Sequence, residues 1–103
     1  MSEFKNVTVQ KEANIYFEGR VISTKLTFSD GSIKTLGVML PGEYEFGTEA
    51  KEVMDILSGE LDILLPGDSD WSHISSGMSF KVPENSSFQL KITTITNYCC
   101  SYL

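Results

Sequence analysis

Histidine is nearly missing from this sequence, with His73 as its single instance. A site built on paired imidazoles is therefore excluded. One histidine and dispersed carboxylates do not supply the ligand set of a transition metal, and His73, beside Trp71, reads as an ordinary surface or rim residue. Basic residues are also few. Eight Lys and Arg stand against 14 Asp and Glu, a net charge of −6, which disfavours nucleic acid polymers and anionic membranes. A small anionic ligand would need a local basic anchor. No apolar run approaches the ~18 residues of a membrane-crossing helix. Residues 1–10 alternate polar and apolar side chains without the apolar core of a secretion signal. Cysteine is limited to the adjacent pair Cys99 and Cys100. Neighbours on a strand point to opposite faces, so a disulfide between them is strained. Two free thiols fit a reducing cytoplasm, one thiol buried and the other at the surface. Repeats, low-complexity tracts and a convincing amphipathic helix are missing too.

What remains is a pattern of short strands. A chain of 103 residues with 41% hydrophobic and 11% aromatic content is sized for one packed domain. Residues 1–13 read as a leader or edge strand, and residues 14–103 as the domain proper. Residues 14–22 form a strand interrupted by Gly19, at a bulge. Residues 24–28 and 33–40 form a pair joined by Ser29-Asp30-Gly31-Ser32, where Asp-Gly suits a primed hairpin turn. Pro41-Gly42 turns the chain into residues 43–46, in which carboxylates and aromatics alternate.

The central stretch is Glu52 to Leu65. Two apolar runs, 53–57 and 61–65, flank Ser58-Gly59-Glu60, and the spacing predicts a β-hairpin reversing at Gly59. Further strands follow at 71–74, 78–82 and 88–92, and residues 98–103 close the chain. About nine or ten short strands with Gly/Pro turns predict an all-β sandwich, jelly roll or small barrel. Two spacings narrow that choice. Glu52 followed by six residues and Gly59, and Gly77 followed by five residues and Pro83, match parts of the two cupin motifs in the right order. The fold class is all-β, a single-domain cupin-like jelly-roll β-barrel. The metal ligands of that fold are not here: Phe46, Gly47 and Thr48 stand before Glu52, and Phe88 stands where the late histidine belongs.

Longer strings are more specific. They are Asn14-x-Tyr16-Phe17-x-Gly19-Arg20-Val21, Gly37-Val38-Met39-x-x-Gly42-Glu43-Tyr44-x-Phe46, Leu64-Leu65-Pro66 with Asp70-Trp71, and the terminal Cys100-x-Tyr102-Leu103. With Glu52-x-Met54, Ser58-Gly59 and Val82-Pro83, they resemble the small-cupin pyrimidine/purine nucleoside phosphorylases from residue 14 to the C-terminus. That resemblance implies phosphorolysis. A purine or pyrimidine nucleoside and inorganic phosphate would give free base and (deoxy)ribose 1-phosphate, with phosphate as co-substrate and no metal or organic cofactor. It also implies a homodimer, with nucleosides and phosphate as the only small partners.

Breaking an N-glycosidic bond builds oxocarbenium character on the sugar, so the site needs an acid for the departing base and a holder for the anion. Glu52 stands in the place of the cupin carboxylate and either enters the barrel as a catalytic group or is a solvated side chain. Glu43 or Tyr44 faces inward, so Glu43 is the second catalytic candidate. Tyr44 and Phe46 share a face, as a base-stacking wall or as core. Met54, Phe80 and Phe88 either line the substrate site or fill the barrel. Arg20, inside a family-like string, suits bidentate phosphate contact, or is a solvated surface residue. Thr48 and Ser58 offer hydroxyls, Ser58 toward phosphate, or serve their turns. Trp71 and Tyr102 read as packing or dimer-contact residues. Members of the family often carry arginine between the terminal cysteine and tyrosine, where this chain has Ser101; if that arginine holds phosphate, this chain has lost an anchor, and either its activity is weak or Arg20 or a lysine substitutes. Two other readings stand beside the enzyme: a metal-free cupin that binds a nucleoside or sugar without turnover, and a structural dimer with a filled barrel.

Overall fold

The computed structural model describes residues 3–103. Its strands, in chain order, are β1 (Thr8–Val9), β2 (Asn14–Tyr16), β3 (Val21–Thr27), β4 (Ile33–Met39), β5 (Gly42–Gly47) and β6 (Glu52–Ser58). Then come β7 (Glu60–Leu64), β8 (Ser72–Ser75), β9 (Ser79–Val82), β10 (Ser87–Ile92) and β11 (Thr96–Tyr102). They form a seven-stranded sheet in the order β1-β3-β4-β11-β6-β9, with β2 also on β3, and a four-stranded sheet in the order β5-β10-β7-β8. The expected cupin-like jelly roll is present. Its two sheets face each other as a sandwich, without hydrogen-bonded closure into a barrel.

Alternation along each strand decides which side chains enter the space between the sheets. On β10, Phe88, Leu90 and Ile92 are buried while Ser87, Gln89 and Lys91 are exposed. On β7, Leu61 and Ile63 are buried, and Met54 and Ile56 of β6 meet them from the opposite sheet as part of one core. Thr96 is wholly buried and donates from Oγ1 to the Thr94 carbonyl at 2.9 Å.

The hairpin predicted at Ser58-Gly59-Glu60 does not form. β6 pairs with β11 and β9, whereas β7 pairs with β10 and β8. Gly59 is a corner where the chain leaves one sheet for the other. Two apolar runs around a glycine look alike in either case. The difference lies in long-range pairing, because crossing sheets sets the two apolar faces against each other across the core. The corner nests against a second one: Glu60 accepts from the Thr93 N–H at 3.1 Å, and its own N–H donates to Thr94 Oγ1 at 3.1 Å. Gly59 has φ +101°, and a Cβ there would lie 2.6 Å from the Ile95 carbonyl oxygen and 2.5 Å from Thr96 Oγ1.

Two other turns differ from expectation. The β3–β4 hairpin forms in register, Thr27 opposite Ile33, but its loop is Ser29-Asp30-Gly31 rather than a two-residue primed turn. Gly31 N–H donates to the Phe28 carbonyl and Phe28 N–H to the Ser32 carbonyl, both at 2.9 Å, with Gly31 alone left-handed at φ +87°. The interruption at Gly19 is a turn between β2 and β3, not a bulge. Phe17, Glu18 and Gly19 all have positive φ, at 52°, 58° and 92°. Two non-glycine residues there cost about 1–2 kcal/mol each. The Phe17 ring offsets this by packing 4.9 Å from Tyr44 and 5.4 Å from Phe46, centroid to centroid.

Gly59→Ala is expected to lower stability by about 2 kcal/mol or more, because strain at positive φ adds to overlap with backbone. Gly31→Ala, whose added Cβ meets nothing within 4 Å, should cost about 1 kcal/mol, from backbone conformation alone. Urea unfolding of both variants checks the difference; equal losses would mean that the corner is not sterically tight.

Candidate active site

A cavity of about 170 Å³ opens between the two sheets. From the larger sheet, Ser23, Met39, Glu52, Met54, Tyr98, Cys100 and Tyr102 line one wall; Phe46, Phe88 and Leu90 of the smaller sheet line the other, and Tyr16 stands at the mouth. One wall is thus polar along β11 and β6, and the other is aromatic. Phe46 and Phe88 lie nearly parallel, 27° apart with centroids at 6.1 Å, and Tyr16 meets Phe46 edge-on at 5.7 Å.

Register builds the polar wall. Tyr102 is opposite Glu52, and Cys100 lies between Met54 on one side and Thr35 on the other. The Thr35 hydroxyl is 3.2 Å from the Tyr102 hydroxyl. A row of polar groups thus runs from Thr35 through Tyr102 and Cys100 to Glu52. Tyr98 enters the same face because its cross-strand partner is Gly37; any Cβ on Gly37 would collide with the Tyr98 ring.

Burial sets the electrostatics. It raises the Glu52 carboxyl above its usual range, with the neighbouring Cys100 thiol opposing the shift only in part. The Cys100 thiol is pushed well up by burial and then by the Glu52 charge. Burial also raises Tyr98 and Tyr102. The wall therefore offers neutral hydroxyls and a thiol around one carboxyl that holds its proton to higher pH than a solvated glutamate does.

Of the residues singled out in the sequence, Glu52, Phe46, Met54 and Phe88 come together here. Phe80 is buried in the core behind Phe88, at 6.3 Å between centroids. Tyr44 shares the inward face of Phe46 but is packed away, its hydroxyl donating to the Leu40 carbonyl at 2.7 Å. Glu43 points to the solvent face of β5, opposite Lys91, because the inward place on that strand falls to Tyr44. Thr48 secures a loop, donating to the Pro83 carbonyl at 2.7 Å and accepting from Ser86 N–H at 3.0 Å. Ser58 is exposed at the far end of β6 and accepts from Asn97 at 3.0 Å. Arg20 is exposed, its guanidinium 5.7 Å from the Tyr44 ring centroid. Glu43, Arg20, Ser58, Thr48, Tyr44 and Phe80 are not among the cavity-lining residues.

Other expectations change too. Cys99 and Cys100 are both buried, on opposite faces of a central strand. Tyr102, expected as a packing or contact residue, lines the cavity. Ser101 faces away from the cavity, alternating with Cys100 and Tyr102, so an arginine there would not enter it. His73 is exposed, with Nδ1 3.0 Å from Asp62 Oδ1. The period-two row Thr96, Tyr98, Cys100, Tyr102 was the signal available for the missed wall. Ser23, Met39 and Tyr16 carry none, since only pairing places them.

A family model described as pyrimidine/purine nucleoside phosphorylase matches residues 11–102. A pyrimidine/purine nucleoside phosphorylase of Chlorobium chlorochromatii is 62% identical, covering 100% of this chain and 99% of that protein. One of Hydrogenovibrio crunogenus is 56% identical over the same shares. Among solved structures, a protein of unknown function from Acinetobacter sp. ADP1 superposes with a TM-score of 0.95 at 38% identity, covering 98% of each chain. The cupin domain of Schizosaccharomyces pombe Cnp3, at TM-score 0.66, 14% identity and 86% and 63% coverage, shares the fold.

A carboxyl whose pKa is higher folded than unfolded binds more protons in the native state, so its contribution to stability is present at low pH and lost as pH rises through the folded value. Glu52→Gln removes that dependence. The melting temperature of the variant relative to the parent should therefore climb as pH rises from ordinary carboxylate values towards neutrality. A relative melting temperature that falls over this range would show Glu52 stabilised as the anion instead.

Proposed function

The chain belongs to the pyrimidine/purine nucleoside phosphorylase family, and we propose that the cavity between its sheets is where a nucleoside and inorganic phosphate become free base and pentose 1-phosphate. The observation that carries the reading is the half-buried Glu52 carboxyl, biased towards its protonated form, facing the aromatic wall of Phe46 and Phe88 across one cavity. The base stacks on that wall. As the C1′–N bond breaks, its electron pair leaves with the base and the Glu52 proton neutralises it. A phosphate oxygen bonds to C1′, and the proton shed by phosphate returns to Glu52. A protonated Glu52 also avoids repelling the incoming anion.

Pentosyl transfer to phosphate makes the reaction that of a glycosyltransferase. An aromatic platform reads π-faces rather than a hydrogen-bond pattern, which supports acceptance of both purines and pyrimidines. The reaction as proposed uses no metal or organic cofactor. Among the described residues Glu52 is the one carboxylate lining the cavity and no imidazole lines it, so the donor set does not fit a transition ion. The alternative, binding without turnover, uses the same cavity.

We also propose a homodimer in the cytoplasm. The outer face of the larger sheet exposes Ile22, Val38 and Leu57 at 41%, 38% and 48%, along a groove shared with Leu36 and Asn97. A two-fold partner would cover this face with its own copy, and the free thiols Cys99 and Cys100 suit a reducing compartment.

Base release from uridine, adenosine and inosine, with and without phosphate and after chelator treatment, tests the reaction. Phosphate-dependent release that survives chelation is expected; ligand-induced stabilisation without release would favour the binder. Glu52→Gln should lower kcat by roughly 10²–10⁴-fold, the usual range for a lost general acid, while the variant stays folded. A fully active Glu52→Gln enzyme would remove Glu52 from the mechanism. Val38→Glu should give a monomer by light scattering on a size-exclusion column; an unchanged mass would place the interface elsewhere.

A further inference from the structure

The cavity wall holds a carboxyl, hydroxyls and a thiol, yet among the described residues no lysine or arginine lines it. A dianionic phosphate needs positive charge or converging donors. Lys34 alternates with the inward Thr35, Lys81 lies between buried Phe80 and Val82, and Lys91 between buried Leu90 and Ile92. All three therefore point outward. Arg20, Lys5, Lys11 and Lys51 lie outside the strands. Lys25 is different. On β3 it follows the buried, inward Val21 and Ser23 at the same two-residue spacing, and its cross-strand partner is Thr35. Directly opposed residues share a face, so among the described residues Lys25 is the one strand cation on the inner side. It is half-buried, and among the described residues it has no ion-pair partner.

Thr35 begins the polar row that ends at Glu52, its hydroxyl 3.2 Å from that of Tyr102. We propose that Lys25 is the phosphate anchor of this site, holding the anion beside Thr35, where the Tyr102 hydroxyl links Thr35 to the cavity wall, while Glu52 on β6 serves the base. The inference rests on the phosphorolysis reading for its chemistry, but the placement of Lys25 does not depend on it. Three strand spacings, about 14 Å, separate β3 from β6. That spacing leaves room for a sugar between acid and phosphate.

Steady-state kinetics and calorimetric titration with inorganic phosphate test this on Lys25→Met, with Lys81→Met as an outward-facing control. Lys25→Met should raise the KM for phosphate by about tenfold or more, the scale of one charge-assisted hydrogen bond, and weaken phosphate binding alike. The KM for nucleoside should stay within about twofold, since the lost contact is to the other substrate. Lys25→Arg should recover much of the loss, and Lys25→Gln replaces the methionine variant if that one does not fold. A folded, uncharged variant that keeps the parent's KM and affinity for phosphate would overturn the anchor and leave phosphorolysis standing. If the parent binds phosphate through Lys25 but releases no base, the anchor stands and the catalytic reading falls. A parent that neither binds nor uses phosphate overturns both.

Discussion

The corner at Gly59 is the constraint on which the rest of the structure depends. There the chain abandons β6 in one sheet and begins β7 in the other, with no room for a side chain against the Ile95 and Thr96 backbone. The segment that it touches is itself the crossing from β10 to β11. Two passages between the sheets are therefore locked against each other. That lock places β6 and β11 side by side, and their register sets Glu52 opposite Tyr102 and Met54 opposite Cys100. A one-residue slip would send every one of those side chains to the outer face. The geometry of the polar wall is thus a consequence of how the sheets are joined.

This explains which parts of the molecule were legible in the sequence. Strand positions follow from alternation and turn residues, both local, and most strands fall where the pattern puts them. Pairing is not local. The two runs flanking Gly59 are indistinguishable from a hairpin until their partners, on β11 far downstream for β6, are known. The turn at Phe17–Gly19 was illegible for another reason: Phe17 and Glu18 adopt left-handed backbone that propensity disfavours and that aromatic packing supports.

The site divides along the same line. Glu52, Phe46, Met54 and Phe88 come together at the cavity, and each sits in a string tied to a family pattern or on a clear inward face. Glu43 was misplaced by one position, since a strand with carboxylates and aromatics alternating does not say which set faces in. Tyr98 was invisible: its place depends on Gly37, a residue chosen for what it lacks, on a strand about sixty positions upstream. Arg20 drew notice as the lone arginine in a recognisable string, whereas Lys25 lies in an ordinary run of Ser, Thr and Leu and gains its position only from the parity of β3.

Burial then turns this arrangement into chemistry. In a metal-binding cupin the carboxylate at the Glu52 place would be held ionised by the cation it ligates. Here no imidazoles surround it, so desolvation acts unopposed except by the Cys100 thiol, and the carboxyl is pushed towards its acid form. The neighbouring tyrosines and Cys100 are themselves pushed towards neutrality, so no second anion forms beside Glu52 near neutral pH. The less of Glu52 that is ionised, the less such a wall repels an approaching anion. The physical division of labour is therefore between a carboxyl on β6 whose ionisation burial opposes and a cation on β3, three strand spacings from β6 in the same sheet.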